Sequence, residues 1–130
     1  MINFLRFEGA TGEGVYMLEC GEVFDFYHRN MHPTFNVDSK LKQNFIDRYG
    51  SENHTGFKFG FADYKQILEW IPKKHLKQTF ANMKRNGIQC TGYEGEVLEG
   101  GSQSLIKRKT SRRGRKIGFK TLLKRIEETY

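Results

Sequence analysis

Residues 72–108 read PKKHLKQTFANMKRNGIQCTGYEGEVLEGGSQSLIKR, and their pattern changes from helical to extended at Gly87. Leu76, Phe80 and Met83 recur at i, i+4 and i+7, which predicts an amphipathic helix that ends at this glycine. Short apolar runs between glycines then predict a β-meander with strands at 88–94, 96–98 and 102–108. A helix followed by locally paired strands indicates the α+β class.

The preceding part of the chain predicts a similar alternation. A strand is expected at residues 2–7 and a second one at 15–18 after a glycine-rich loop. Residues 21–30 favour a helix, and their aromatic density also allows a strand. Further elements are predicted from their end signals: a helix from Ser39 to Gly50, a strand at 57–61, a helix opened by Asp63, and Pro72 in the first turn of the next helix. We therefore expect a small mixed sheet with several short helices.

The C-terminal segment is expected to combine a flexible stretch with a helix. Residues 110–116 are polar and predicted to be flexible, whereas Phe119, Leu122 and Ile126 continue an apolar stripe at helical spacing. We expect this stripe to dock on its own domain or on a sister subunit, which would make a homo-oligomer. A basic amphipathic helix can also dock on another partner, a membrane surface or nucleic acid. The sequence thus divides into a compact α+β domain at 1–106 and a basic tail at 107–130 that contains a C-terminal amphipathic helix.

The positive charge of the chain is concentrated in this tail. Residues 1–106 contain 12 basic and 13 acidic side chains, whereas residues 107–130 contain 10 basic and 2 acidic ones. Such a field attracts polyanions and indicates a partner rather than a fold. The predicted anion-binding residues are Lys107, Arg108, Lys109, Arg112, Arg113, Arg115, Lys116, Lys120, Lys124 and Arg125.

The nature of the anionic partner stays open at this point. Arg113-Gly114-Arg115 resembles the Arg-Gly-Arg centre of AT-hook segments, but the next residue is Lys116 where the hook has proline. Phosphate contacts without base readout are therefore the simpler prediction for nucleic acid. A nucleotide ligand or an acidic protein surface would suit the same charges. Aromatic residues that could stack on bases are Tyr16, Phe57, Phe59, Phe61 and Tyr93.

Other classes of function lack their sequence signals. No long apolar segment or signal peptide occurs, so we expect a cytosolic protein without membrane contact. Cys20 and Cys90 have no C-x-x-C spacing and are expected to be free thiols. His28 and His32 have the spacing of a metal pair on a helix, but Pro33 interrupts that helix, and we expect no metal site. Neither a G-x-S-x-G elbow nor a phosphate-binding P-loop is present.

A local resemblance gives the alternative of an enzyme. Arg6, followed by Gly12-Glu13-Gly14-Val15-Tyr16, resembles the NAD-binding region of ADP-ribosyltransferases, where a G-x-G-x-Y segment follows an Arg or His strand. In that family a Glu or Gln on a late strand completes the site, and Gln103 matches this position. The resemblance implies NAD as a cofactor, with Arg6 and Tyr16 holding it. Gln103 lacks the formal charge that would stabilise a cationic transition state.

A wider resemblance covers roughly residues 4–106. The order of residues resembles small proteins of bacteriophages and prophages that have no assigned activity. The matching positions are the G-x-G-x-Y segment, His32-Pro33, Asp38, Phe59-Gly60-Phe61, Gln66, Trp70, Leu76, Gly87, Tyr93 and Gly100 to Gln103. This resemblance implies an accessory protein, acting in the cytoplasm of an infected bacterial host, that binds and inhibits a host defence factor. It assigns no catalytic residue, and the basic tail is expected to be an addition of this chain.

Overall fold

The computed structural model describes residues 1–10, 12 and 38–130, and they form an α+β fold, as predicted. The strands in this part of the chain are β1 (Phe4–Glu8), β2 (Phe57–Gly60), β3 (Gln89–Glu94), β4 (Val97–Glu99), β5 (Ser104–Lys107) and β6 (Arg112–Ile117). The helices are α1 (Ser39–Tyr49), α2 (Tyr64–Trp70), α3 (Leu76–Arg85) and α4 (Phe119–Thr129), with 3-10 turns at Lys73–His75 and Arg108–Thr110. The strand predicted at 15–18 and the helix predicted at 21–30 lie outside the described residues.

The strands form two antiparallel sheets of three strands, in the orders β1-β3-β6 and β2-β5-β4. The strands of the predicted meander are all present, and β4 and β5 pair as consecutive antiparallel strands, whereas β3 belongs to the other sheet. Residues Cys90 to Tyr93 of β3 are all buried, as is typical of a central strand. A central strand needs a partner strand on each of its two edges. The neighbouring strand β4 has only three residues and could occupy one edge at most. β3 pairs with β1 and β6 instead, and β4 forms a hairpin with β5 in the second sheet.

Successive side chains of a strand point to opposite faces of its sheet. The contacts on each face therefore give the order in which the helices and the two sheets are stacked. On one face of the first sheet, Phe7 packs in a core with the apolar sides of α2, α3 and α4. On the opposite face, Phe4 and Tyr93 pack against Ile106 of the second sheet. The other face of the second sheet packs Leu105 against α1. The order is therefore α2–α4, the first sheet, the second sheet and α1.

The helix boundaries follow the predicted capping signals closely. Gly50 ends α1 with a left-handed φ of 69°, and Asp63 caps α2, both as predicted. The cap of α1 is Asp38, whose carboxylate accepts from the Leu41 N–H at 3.0 Å, so the prediction of Ser39 was one residue late. The Asp38 carboxylate also accepts hydrogen bonds from the backbone N–H groups of residues 101–103.

The helix predicted from Leu76 is confirmed as α3, which ends before Gly87 at a φ of 74°. It buries Leu76, Phe80 and Met83 on one face. Pro72 does not lie in its first turn, because the 3-10 turn Lys73–His75 separates the two.

The C-terminal segment differs from the sequence prediction in one respect. Residues 112–116 were predicted to be flexible, and that prediction is wrong because they lie in β6 and pair with β3. The amphipathic helix is confirmed as α4, since Leu122 and Ile126 are fully buried in the core that also contains Phe7. The helix therefore docks on its own chain. The division into 1–106 and 107–130 stays a prediction, and both parts contribute side chains to one core.

The two sheets are in close contact at Gly60. Leu5 and Phe61 exchange two backbone hydrogen bonds of 2.8 Å, which connect β1 to the end of β2. A Cβ at Gly60 would lie 2.4 Å from the carbonyl oxygen of Leu5 and 2.5 Å from the ring of Phe4. A side chain at this position would force the sheets apart.

We expect Gly60→Ala to lower the free energy of unfolding by about 1–3 kcal/mol, the usual cost of overpacking a core. The matched control is Gly56→Ala, because Gly56 is exposed and a Cβ there would have no heavy atom within 4 Å. The control should stay within about 0.5 kcal/mol of the parent protein. Urea unfolding measures both variants, and equal stabilities would contradict the close approach of the two sheets.

Candidate anion-binding surface

The first part of the candidate surface is β6, which lies at the edge of the first sheet. Arg113 lies opposite Tyr93 of β3 and Lys116 lies opposite Thr91, while no described strand pairs with the other side of β6. Ile117 is buried, and the basic residues of the strand are exposed: Arg112, Arg113, Arg115 and Lys116. Charges on an edge strand prevent pairing with other sheets, which is a structural reason for their presence. The same row of cations can bind a polyanion.

The second part is the outer face of α4. Lys120, Lys124 and Arg125 are exposed, while Leu122 and Ile126 fix the opposite face in the core. The apolar stripe thus determines which way the cations point. The helix presents them at set positions, as the amphipathic pattern predicted.

β6 and α4 meet in a basic depression of about 270 Å³. Arg115, Thr121 and Arg125 line it, together with Lys116 and Gly118. Two guanidinium groups and a hydroxyl can donate several hydrogen bonds to the oxygens of one phosphate group.

The remaining predicted cations lie before β6 and contribute unequally. Lys107 is half-buried, with its Nζ 3.8 Å from Glu96 and 6.0 Å from the centre of the Tyr49 ring. Arg108 and Lys109 are exposed on a 3-10 turn, and Arg108 Nε donates to a backbone carbonyl at 3.4 Å. Lys107 is therefore engaged within the fold, whereas the next two residues extend the exposed positive surface.

Arg113 has a second role, because it contacts a buried carboxylate. Glu8 is 0% exposed and lies between the two sheets. Its two oxygens accept from the Tyr93 hydroxyl at 2.9 and 2.8 Å, and one of them accepts from Arg6 Nε at 3.0 Å. Arg113 Nη2 forms an ion pair with Glu8 at 3.1 Å. The Arg113 side chain is 44% exposed, so it connects the basic surface to the interior. This buried cluster had no signal in the sequence beyond the spacing of Arg6 and Glu8.

The neighbours of Glu8 have shifted pKa values. Burial raises the pKa of Tyr93 to about 12, and the hydrogen bond to Glu8 and its charge act in the same direction. Burial lowers the pKa of Lys58, whose Nζ lies 3.3 Å from the Tyr93 hydroxyl, while the charge of Glu8 opposes this shift. On the other face of the sheet, burial raises the pKa of the Cys90 thiol to about 12. Cys90 is free and buried, and it is a protonated core residue at neutral pH.

Several residues that the phage resemblance singled out hold one loop in place. The Asp38 carboxylate accepts from the backbone N–H groups of Gly101, Ser102 and Gln103 at 3.0, 2.8 and 3.3 Å. Gln66 donates to the carbonyl of Gly100 at 3.0 Å. These contacts secure the entry to β5 from both sides, which is a structural role.

The residues of the NAD-binding alternative lie on different elements. The Arg6 guanidinium on β1 donates to Glu8 and to the backbone carbonyls of Phe59 and Gly12, at 2.6 and 3.4 Å for the carbonyls. Gln103 is buried before β5, and Tyr16 lies outside the described residues. NAD binding by these three residues stays a prediction.

The aromatic residues proposed for base stacking are mostly inaccessible. Phe61 and Tyr93 are 4% and 1% exposed, so they offer no ring face to a base. Phe57 and Phe59 are partly buried against the core under α1. Any contact with nucleic acid through the described residues therefore depends on charge rather than on these rings.

Sequence reasoning missed two further cations near this surface. Lys77 and Lys84 of α3 line a groove together with Lys116 and Lys120. Their spacing of seven residues indicates a shared helix face. The direction of that face became apparent only from the packing of α3 against α4.

Metal-binding clusters and membrane-spanning helices are both absent from the described residues. Residues 1–10, 12 and 38–130 contain no group of three or more His, Cys, Asp or Glu side chains suited to a metal ion, and His28 and His32 lie outside them. No helix in these ranges has the length and apolar character needed to cross a membrane.

The fold and its surface define a small α+β protein of four layers with a basic face. A family model described as bacteriophage T4 Y00F protein matches residues 2–120. The chain therefore belongs to the bacteriophage T4 Y00F protein family and is a small phage-type accessory protein. No curated protein and no solved structure matches it.

The extent of this match corrects one expectation from the sequence. The phage resemblance was placed at residues 4–106, with the basic tail as an addition of this chain. The family match continues to residue 120 and includes all of β6 and the start of α4. Residues 107–120 of the basic segment therefore belong to the part of the chain that the family model matches, and they are not an addition of this chain. This agrees with the pairing of β6 in the first sheet.

We expect the free energy of unfolding to decrease from about pH 9 toward about pH 12. Tyr93 and Cys90 both have raised pKa values of about 12 in the folded protein. Their contribution is fully present below the unfolded pKa values, about 10 for tyrosine and 8.5 for cysteine, and it is lost as the pH rises through the folded ones. Urea unfolding at several alkaline pH values measures the slope.

Two variants separate the contributions to this slope. Tyr93→Phe should remove the loss of stability that begins at about pH 10, the pKa of a free tyrosine. Cys90→Ala should remove the loss that begins at about pH 8.5, the pKa of a free cysteine. Tyr93→Phe should also cost about 1–3 kcal/mol at neutral pH, because Glu8 loses a buried donor. An unchanged alkaline slope in Tyr93→Phe would contradict the burial of the Tyr93 hydroxyl beside Glu8.

Proposed function

We propose that this phage protein is a non-catalytic binding protein that engages an anionic partner through the surface formed by β6 and α4. The observation that carries the proposal is the exposure, on a strand and a helix, of cations most of which form no ion pair within the described residues. Within the described part of the chain, ion pairs are formed by two of the ten predicted cations, Lys107 and Arg113. The exposed remainder is Arg108, Lys109, Arg112, Arg115, Lys116, Lys120, Lys124 and Arg125.

Nucleic acid is the partner class that this arrangement suits best. The cations are held by a strand and a helix, so binding orders fewer flexible elements than a free tail would. Phosphate contacts from such a surface are independent of base sequence and are strongly weakened by salt. The depression lined by Arg115 and Arg125 places two guanidinium groups and the Thr121 hydroxyl around one site that suits a phosphate.

The biological role that we propose is inhibition of a host defence factor in the cytoplasm of the infected bacterium. Membership of a phage family supports this context. A basic surface can act there in two ways. It can cover nucleic acid that a host factor needs, or it can bind an acidic surface of the host factor and so cover the factor's nucleic-acid site.

The proposal is tested by measuring binding to three probes across a salt series. The probes are a DNA duplex of about 20 base pairs, or two helical turns, the matching RNA, and ATP. We expect the protein to bind DNA or RNA, with a binding constant that decreases as the salt concentration rises. In Arg115→Gln/Arg125→Gln the slope of the logarithm of this constant against the logarithm of the salt concentration should become shallower, by up to about 0.9 for each lost phosphate contact. The control is Lys40→Gln/Lys42→Gln on α1, at the far side of the four layers, which removes the same charge and should leave the slope unchanged. No binding of any probe at low salt, or equal effects of the two double variants, would overturn the proposal.

A further inference from the structure

A groove of about 480 Å³ lies between α3 and α4, with a composition that differs from the phosphate-binding surface. Its floor is apolar and is made by Phe80, Ala81, Ile88, Phe119 and Leu123. The volume is within the range of about 300–1,000 Å³ found for ligand pockets. An apolar floor of this size has nothing to gain from the sugar–phosphate backbone of a nucleic acid.

Both walls of the groove carry lysines. Lys77 and Lys84 of α3 form one wall, about 10 Å apart along the helix axis. Lys116 and Lys120 form the other wall, at the junction of β6 and α4. Among the described residues that line the groove, none is acidic. The groove therefore presents an apolar strip between two positive borders.

The aromatic residues of the floor are poorly suited to stacking on a nucleobase. Phe80 is 3% exposed. Phe119 is half-buried and packs against both Phe80 and Phe7, with ring centroids 5.0 and 6.2 Å away. Phe80 is thus nearly inaccessible and Phe119 is engaged by two other rings, while Ala81 is exposed and Leu123 is partly exposed. Such a surface accepts aliphatic side chains better than it accepts a planar base.

We infer that the groove between α3 and α4 binds an amphipathic helix of a protein partner whose apolar stripe is flanked by acidic residues on both sides. The apolar stripe covers the floor, as in other helix-in-groove complexes. The flanking carboxylates pair with the lysines of the two walls, which sets the orientation of the helix. This site goes beyond the proposed nucleic-acid surface, since Lys77, Ala81 and Lys84 lie outside it.

The test uses a synthetic helical peptide of about 18 residues, or five turns, with leucines at i, i+3, i+4 and i+7 and glutamates on both flanks. Two control peptides have lysine in place of every glutamate, or the same composition with the stripe scrambled. Fluorescence anisotropy should show that the acidic amphipathic peptide binds and that neither control does. Amide shifts in an NMR spectrum should be confined to residues around Ala81, Lys84, Gly118 and Leu123.

Variants of the groove locate the binding site. Lys77→Gln/Lys84→Gln should weaken the peptide by about fivefold to tenfold, as expected for two surface ion pairs. Ala81→Glu should abolish binding, whereas Ala81→Gln, matched in size, should retain part of it. Ala81 is exposed, and both replacements favour helix, so circular dichroism should show an unchanged fold.

Several outcomes would overturn the inference. These are no binding of the acidic peptide, equal binding of the scrambled peptide, or full binding to Ala81→Glu. A dimer in sedimentation that Ala81→Glu dissociates would assign the groove to a second copy of this chain. Loss of DNA binding in Ala81→Glu would assign it to nucleic acid. Arg115→Gln/Arg125→Gln should lose DNA affinity and keep the peptide, so failure of this inference and failure of the proposed function are distinguishable.

Discussion

The compensation of the Glu8 charge is the constraint on which the rest of the structure depends. A carboxylate that is fully buried between two sheets is tolerated only when donors and positive charges surround it. Each strand of the first sheet supplies at least one of these groups: Arg6 from β1, Tyr93 from β3 and Arg113 from β6. Removing one partner of a buried ion pair typically costs about 3–5 kcal/mol. The strand order β1-β3-β6 is therefore also the arrangement that brings all three partners to Glu8.

This constraint gives the basic segment a place in the fold. Arg113 belongs to the charge-rich end of the chain, and Glu8 belongs to its first strand. Their contact holds β6 against β3, and β6 leads through Gly118 into α4, whose apolar face completes the core. The exposed cations consequently form an ordered surface. The groove with Lys77 and Lys84 adjoins this surface because α4 packs on α3.

The sequence was sufficient to predict the elements whose signals are local. The helices α1 to α4 have apolar residues at helical spacing, and Gly50 and Asp63 mark ends that the structure confirms. β6 could not be predicted, because Arg112 to Lys116 contain no apolar alternation and the strand forms through its partner β3. The ten predicted cations, most of which lie on the candidate surface, were recognisable from composition. Their arrangement, the Glu8 cluster and the groove depend on contacts between residues that are distant in sequence.

The most direct test of this account is native-state hydrogen exchange of the backbone amides in β6. The alternate amides of residues 112–117 that point toward β3 should be protected to nearly the same degree as those of β3 itself, since both strands belong to one sheet. In Glu8→Gln this protection should decrease in β6 more than in α1, which packs on the far side of the second sheet. Exchange of all β6 amides at the rate of an unstructured peptide would contradict the account, because the basic segment would then be a flexible tail.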